Sequence, residues 1–131
     1  MGDPTSIAVS GLNAASLQLS AAANNIANSQ DTASLTPQPG DPQPYQPATV
    51  TQTATPDGGT QAAQQPVAPA SNAIYDPNSP FADSNGNVAS PNVDLAQQVV
   101  NTNTASLSYD ANLKVIQTAQ QMQGYLLNIF S

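Results

Sequence analysis

With 131 residues, a formal net charge of −7, 39% hydrophobic side chains and only 5% aromatic ones, the chain has room for one domain and lacks the bulk for a large globular core. Its eight acidic residues are all Asp, its only base is Lys114, and Glu, Arg, His, Cys and Trp are absent. That excludes the clustered cations that nucleic acid or an anionic membrane surface requires, and most catalytic side chains with them, so no enzyme, cofactor or small-molecule substrate is expected.

The opening Met-Gly-Asp-Pro has neither the basic nor the apolar region of a cleavable secretion signal, and no segment is long and apolar enough to span a bilayer. Gly2 and Ser6 match an acylation pattern. The structural reading of the same residues is Asp3 as a helix cap with Pro4 in the first turn. The first helix is then expected from Pro4 to Asn28, with Ala8, Leu12, Ala15, Leu19, Ala22 and Ile26 at spacings of three and four, a heptad seam. Gly11 costs about 1 kcal/mol against alanine inside a helix, which points to close approach of another helix.

From Ser29 to Gln46 the chain is proline-rich without apolar periodicity and reads as an extended or irregular arm. Thr49, Val50, Thr51, Thr53 and Thr55, the turn Pro56-Asp57-Gly58-Gly59, and the return Thr60 to Val67 predict a small β-hairpin. A two-stranded ribbon is marginal in water, so it must lie on the helices or on another subunit. Tyr75 to Asp94 is dense in turn residues and reads as a compact ordered loop anchored by Tyr75, Phe81, Val88 and Val93. Asp83, Asn85, Asn87 and Asp94 have the spacing of calcium-loop ligands, but Val88 stands where that pattern needs Gly and Asp94 where it needs Glu. A tight turn at Asn85-Gly86 and a helix cap at Asp94 account for them, so no metal site is assigned.

The last helix is expected from Asp94, or just after Pro91, to Ile129. Leu107, Ala111, Val115, Ala119, Met122, Leu126 and Ile129 form one stripe; Tyr109, Leu113, Ile116, Leu127 and Phe130 form a second beside it. Two stripes imply contacts on two sides. The fold class is therefore mainly α with a small β element: terminal helices paired as a coiled-coil-like hairpin, with the proline-rich arm, β-hairpin and ordered loop inserted between them. The expected organisation is residues 1–30 and 93–131 as one helical domain, with 31–92 inserted. The expected assembly interface is the first-helix seam Ala8, Leu12, Ala15, Leu19, Ala22 and Ile26 together with Leu107, Ala111, Val115, Ile116, Ala119, Met122, Leu126 and Ile129, which should cover one another within or between identical copies.

Three segments carry a family resemblance: ANNIAN (residues 23–28), YDPNSPFADSNGNVASPNVD (75–94) and ASLSYDANLKVIQTAQQM (105–122). In these the chain resembles the bacterial flagellar basal-body rod proteins, and within them the proximal rod branch. The resemblance implies a structural subunit that stacks helically with its terminal helices lining the tube and transmits torque passively in motility. It also implies delivery through the flagellar type III export apparatus, a periplasmic location in the basal body, and other rod proteins as partners. The family's charged positions after the arm and in the last helix are here Gln46, Gln97, Gln98 and Leu107. That sets beside the rod reading an alternative, a divergent relative that polymerises with itself into an extracellular filament, because a contact that does not close builds an open helix.

Overall fold

A computed structural model describes residues 3–129 of the chain, with side chains described through residue 126. Gly2 of the acylation pattern, the Leu127 and Ile129 side chains, and Phe130 lie outside the described residues. Helix α1 spans Pro4–Ala27. The Asp3 carboxylate accepts from the Thr5 N–H at 3.3 Å, satisfying a donor that the first turn leaves without a helical partner, and Pro4 follows where a missing N–H does no harm. Helix α2 spans Leu95–Ile129, capped by Asp94, whose Oδ1 accepts from the Gln97 N–H at 3.1 Å.

Two antiparallel ribbons lie between the helices. Strands β1 (Ala48–Ala54) and β2 (Thr60–Pro66) pair from Ala48↔Pro66 to Ala54↔Thr60. Their turn uses Gly58 and Gly59 at φ of 86° and 101°, a backbone that side-chain-bearing residues rarely adopt. As the threonine-rich run predicts, the hairpin exists, and it lies on α1. Ala48, Val50, Thr60 and Ala62 are half-buried on its inward face, while the far side is open to solvent.

The segment read as an ordered loop, Tyr75 to Asp94, together with the residues just before it, contains more structure than expected. Strands β3 (Ser71–Tyr75) and β4 (Asn87–Pro91) pair in register Ser71↔Pro91 to Tyr75↔Asn87. Composition hides them, since Ser71, Asn72, Asn87, Ser90 and Pro91 are half of their residues and long-range pairing supplies what propensity does not. Ala33 of the arm forms a bridge with Ala89, exchanging two backbone hydrogen bonds of 3.0 and 2.9 Å, so the arm closes a satellite core around Val88, Ala89 and Ala33. Of the four expected anchors, Val88 is fully buried and Phe81 and Val93 are half-buried. Tyr75 is a correction: it is 73% exposed, its ring lying over Gly86 rather than inside the molecule.

The main core is the pairing of α1 with α2, which run antiparallel, Gly11 meeting Asn112 at one end and Asn25 meeting Gln98 at the other. Helix α1 thus lies between α2 on one flank and the β1–β2 hairpin on the other, while the β3–β4 ribbon stands apart and is held by backbone bonds from the arm and from Ala70.

Candidate assembly interface

On α1 the line facing the interior is Ala8, Gly11, Ala15, Gln18, Ala22 and Asn25, again at spacings of three and four. The seam expected from sequence supplies Ala8, Ala15 and Ala22 to it, all buried. Leu12 and Ile26 sit half-buried at its margin, and Leu19 is 37% exposed beside Ser106 and Tyr109 of α2. On α2 the inward residues are Gln98, Thr102, Ala105, Asn112, Ile116 and Ala119, in the same heptad rhythm, with Ala105 fully buried. Small side chains let the two backbones come close. At Gly11 an added Cβ would lie 2.5 Å from Asn112 Oδ1, so the glycine is the notch that admits this side chain.

The apolar stripe of α2 stands elsewhere. Leu107 is 71% exposed and Met122 57%, and Ala111, Val115 and Leu126 are exposed with them, so the structure does not bring these residues to α1 within one chain. Ile116 and Ala119 are the only two described members of the expected α2 set that are half-buried. Among the described residues α1 is the only element packed on α2, and Leu95, Val99, Val100 and Tyr125 add to the uncovered apolar surface. Asp110 and Lys114 are the only charged residues in α2, so identical copies would repel one another weakly along this face. A contiguous exposed apolar face on an otherwise small-residue molecule is the mark of an interaction surface.

Asn25, which periodicity does not single out, joins three parts of the fold. It is 2% exposed and fully hydrogen-bonded. Its Nδ2 donates to the Ala48 carbonyl at 2.8 Å and to Gln98 Oε1 at 3.2 Å; its Oδ1 accepts from the Ala48 N–H at 3.1 Å and from the Tyr45 hydroxyl at 3.0 Å. Burial raises the Tyr45 pKa above its ordinary value. Ser10 does related work at the other end of the hairpin, its Oγ accepting from the Thr60 N–H at 3.1 Å. The signal for Asn25 was present in the sequence as the heptad successor of Gly11 and Gln18, but a polar residue is discounted by an apolar count.

The Asp83 carboxylate accepts from the N–H groups of Asn87 and Asn85, both at 2.8 Å, and these bonds, that of Asn87 foremost, hold its pKa below the ordinary 3.8. Asp83 is thus the hub of the β3–β4 loop and Asp94 a helix cap. Among the described residues no cluster of three or more metal-ligating side chains is present, and no helix is long and apolar enough to cross a membrane.

A family model described as the C-terminal part of flagellar basal body rod FlgEFG proteins matches residues 84–129, the end of the β3–β4 loop, β4 and α2. The flagellar basal-body rod protein FlgC of Salmonella typhimurium is 39% identical over 121 residues, covering 88% of this chain and 87% of the relative. FlgC of Escherichia coli O6:H1 is 38% identical with the same coverage, and that of Yersinia enterocolitica 36% identical over 122 residues. Likeness of this extent covers most of the chain, and the chain belongs to the FlgC family of flagellar basal-body rod proteins.

Proposed function

We propose that the chain is a structural subunit of the flagellar basal-body rod, without catalytic chemistry, which assembles helically through its terminal helices and transmits torque by burying apolar surface against neighbours. The observation that carries this reading is the uncovered α2 stripe, Leu107 to Leu126, on a chain that shares most of its length with rod proteins. Intersubunit burial at about 25 cal/mol per Å² would make each interface resist shear without any bond chemistry. The α1 positions Leu12, Leu19 and Ile26 and the α2 positions Leu107, Ala111, Val115, Ile116, Ala119, Met122, Leu126 and Ile129 are the proposed contacts, between copies and with other rod proteins. In the assembled state residues 1–30 and 93–131 form one supercoiled helical domain, with 31–92 inserted as arm and ribbons.

We further propose delivery by the flagellar type III export apparatus as an unfolded chain, followed by folding in the periplasm. A core built mainly of alanine supports that route, since it buries little area per residue and is correspondingly easy to open. The self-polymerising extracellular filament is not favoured, because the relatives that match over most of the chain are rod proteins. Deleting the gene should abolish motility and leave basal bodies without a rod, and re-expression should restore both. Intact rods and normal swimming in the deletion strain would overturn the reading.

A further inference from the structure

The helix pair raises a problem of register. A stripe as uniform as Ala8, Ala15 and Ala22 packs almost equally well after a slide of seven residues, about 10 Å along the axis, because every heptad offers the same small side chains. The irregular arm, bridged from Ala33 to Ala89, ties the end of α1 to the approach to α2 but leaves residues 28–32 and 90–94 between the bridge and the helices. Two contacts break this degeneracy. The Gly11 notch accepts Asn112, and Asn25 bonds Gln98 at 3.2 Å. Fourteen residues separate Gly11 from Asn25 and fourteen separate Gln98 from Asn112, so both contacts are satisfied together in one antiparallel register. Slid by one heptad toward the C-terminus of α2, Asn25 would face the position of Ala105 and lose its one hydrogen bond to α2, keeping those to Ala48 and Tyr45, and Gly11 would face Ala119, leaving the notch empty. Slid the other way, Asn25 would pass the end of α2, which begins at Leu95.

We infer that Asn25 with Gln98, and Gly11 with Asn112, are register-specifying pairs that select one alignment of the two helices from several of similar apolar packing. A buried polar residue on a helix seam sets register in this manner because a slipped alignment removes its hydrogen-bond partner on the facing helix. The inference goes beyond the rod reading and does not depend on it. If the rod reading holds, the pins also set the height at which Leu107, Val115 and Met122 are presented to a neighbour.

The absence of cysteine makes the test direct. In the full-length chain at low concentration, Leu19→Cys with Ser106→Cys reports the observed register, since both positions line one cleft. Leu19→Cys with Leu113→Cys reports the register displaced by one heptad. Under mild oxidation the unmodified background should close only the first pair. Adding Asn25→Leu should raise closure of the displaced pair by about tenfold or more relative to the first, the equivalent of losing one buried hydrogen-bonding partner. Should Asn25→Leu lose its helical circular dichroism, Gln98→Ala removes the same bond while leaving α1 and its links to Ala48 intact, and carries the same expectation. Exclusive closure of the first pair in the Gln98→Ala background would overturn the inference, as would equal closure of both pairs in the unmodified chain. Because the assay reads single chains, failure of rod assembly would leave its outcome unchanged.

Discussion

Asn25 shows how one side chain can decide more than the leucines around it. Its four hydrogen bonds join α1 to the arm at Tyr45, to the hairpin at Ala48 and to α2 at Gln98. Asn25→Ala leaves the Ala48 amide and carbonyl without their partner and should cost about 1–3 kcal/mol, read as a lowered urea midpoint with an unchanged slope. Gly11→Leu is expected to cost a similar ~1–3 kcal/mol by overpacking against Asn112, whereas Gly11→Ala combined with Asn112→Ala should recover part of the helical propensity that glycine forfeits. Asp83 gives a prediction in pH. Its folded pKa lies below 3.8, so its contribution to the β3–β4 loop is fully present above that value and is lost as pH falls through the folded pKa. Amide resonances of Asn85 and Asn87 should move together in that acid window, and Asp83→Asn should abolish the shared titration.

At the scale of elements, the two faces of α2 should respond oppositely to substitution. Leu107→Asp or Val115→Asp alters exposed positions and should shift the stability of the single chain by no more than about 0.5 kcal/mol while blocking incorporation into rods. Ala105→Asp, at a fully buried site against α1, should instead prevent the helix pair from forming, seen as loss of helical circular dichroism. The satellite ribbon has its own weak point. Val88→Ala should cost about 2 kcal/mol from the lost side-chain burial and loosen the bridge between Ala33 and Ala89, with faster hydrogen exchange confined to residues 71–91 and the arm.

Across the whole molecule, what could be read in advance was whatever is encoded locally. Asp3 and Asp94 announced both helix starts, Gly58-Gly59 the hairpin turn, and Gly11 a close helix crossing, because caps, positive φ and steric notches are properties of a few adjacent residues. The arrangement of the α2 faces was not legible. Apolar periodicity ranks Leu107, Val115 and Met122 above Gln98, Thr102 and Asn112, yet the latter line faces α1, since a close alanine-based crossing favours small and hydrogen-bonded side chains over bulky ones. Strands β3 and β4 were likewise invisible, because Ser71–Tyr75 and Asn87–Pro91 carry turn residues and gain strand geometry only by pairing with each other and, through Ala89, with Ala33. The sequence by itself thus determined the existence and starts of both helices and the β1–β2 hairpin with its turn, together with a likeness to rod proteins carried by three contiguous segments. Only the tertiary structure decided which α2 stripe is covered within the chain and which is left for a neighbour, because that choice depends on how closely two backbones can approach, a quantity that no single helix contains.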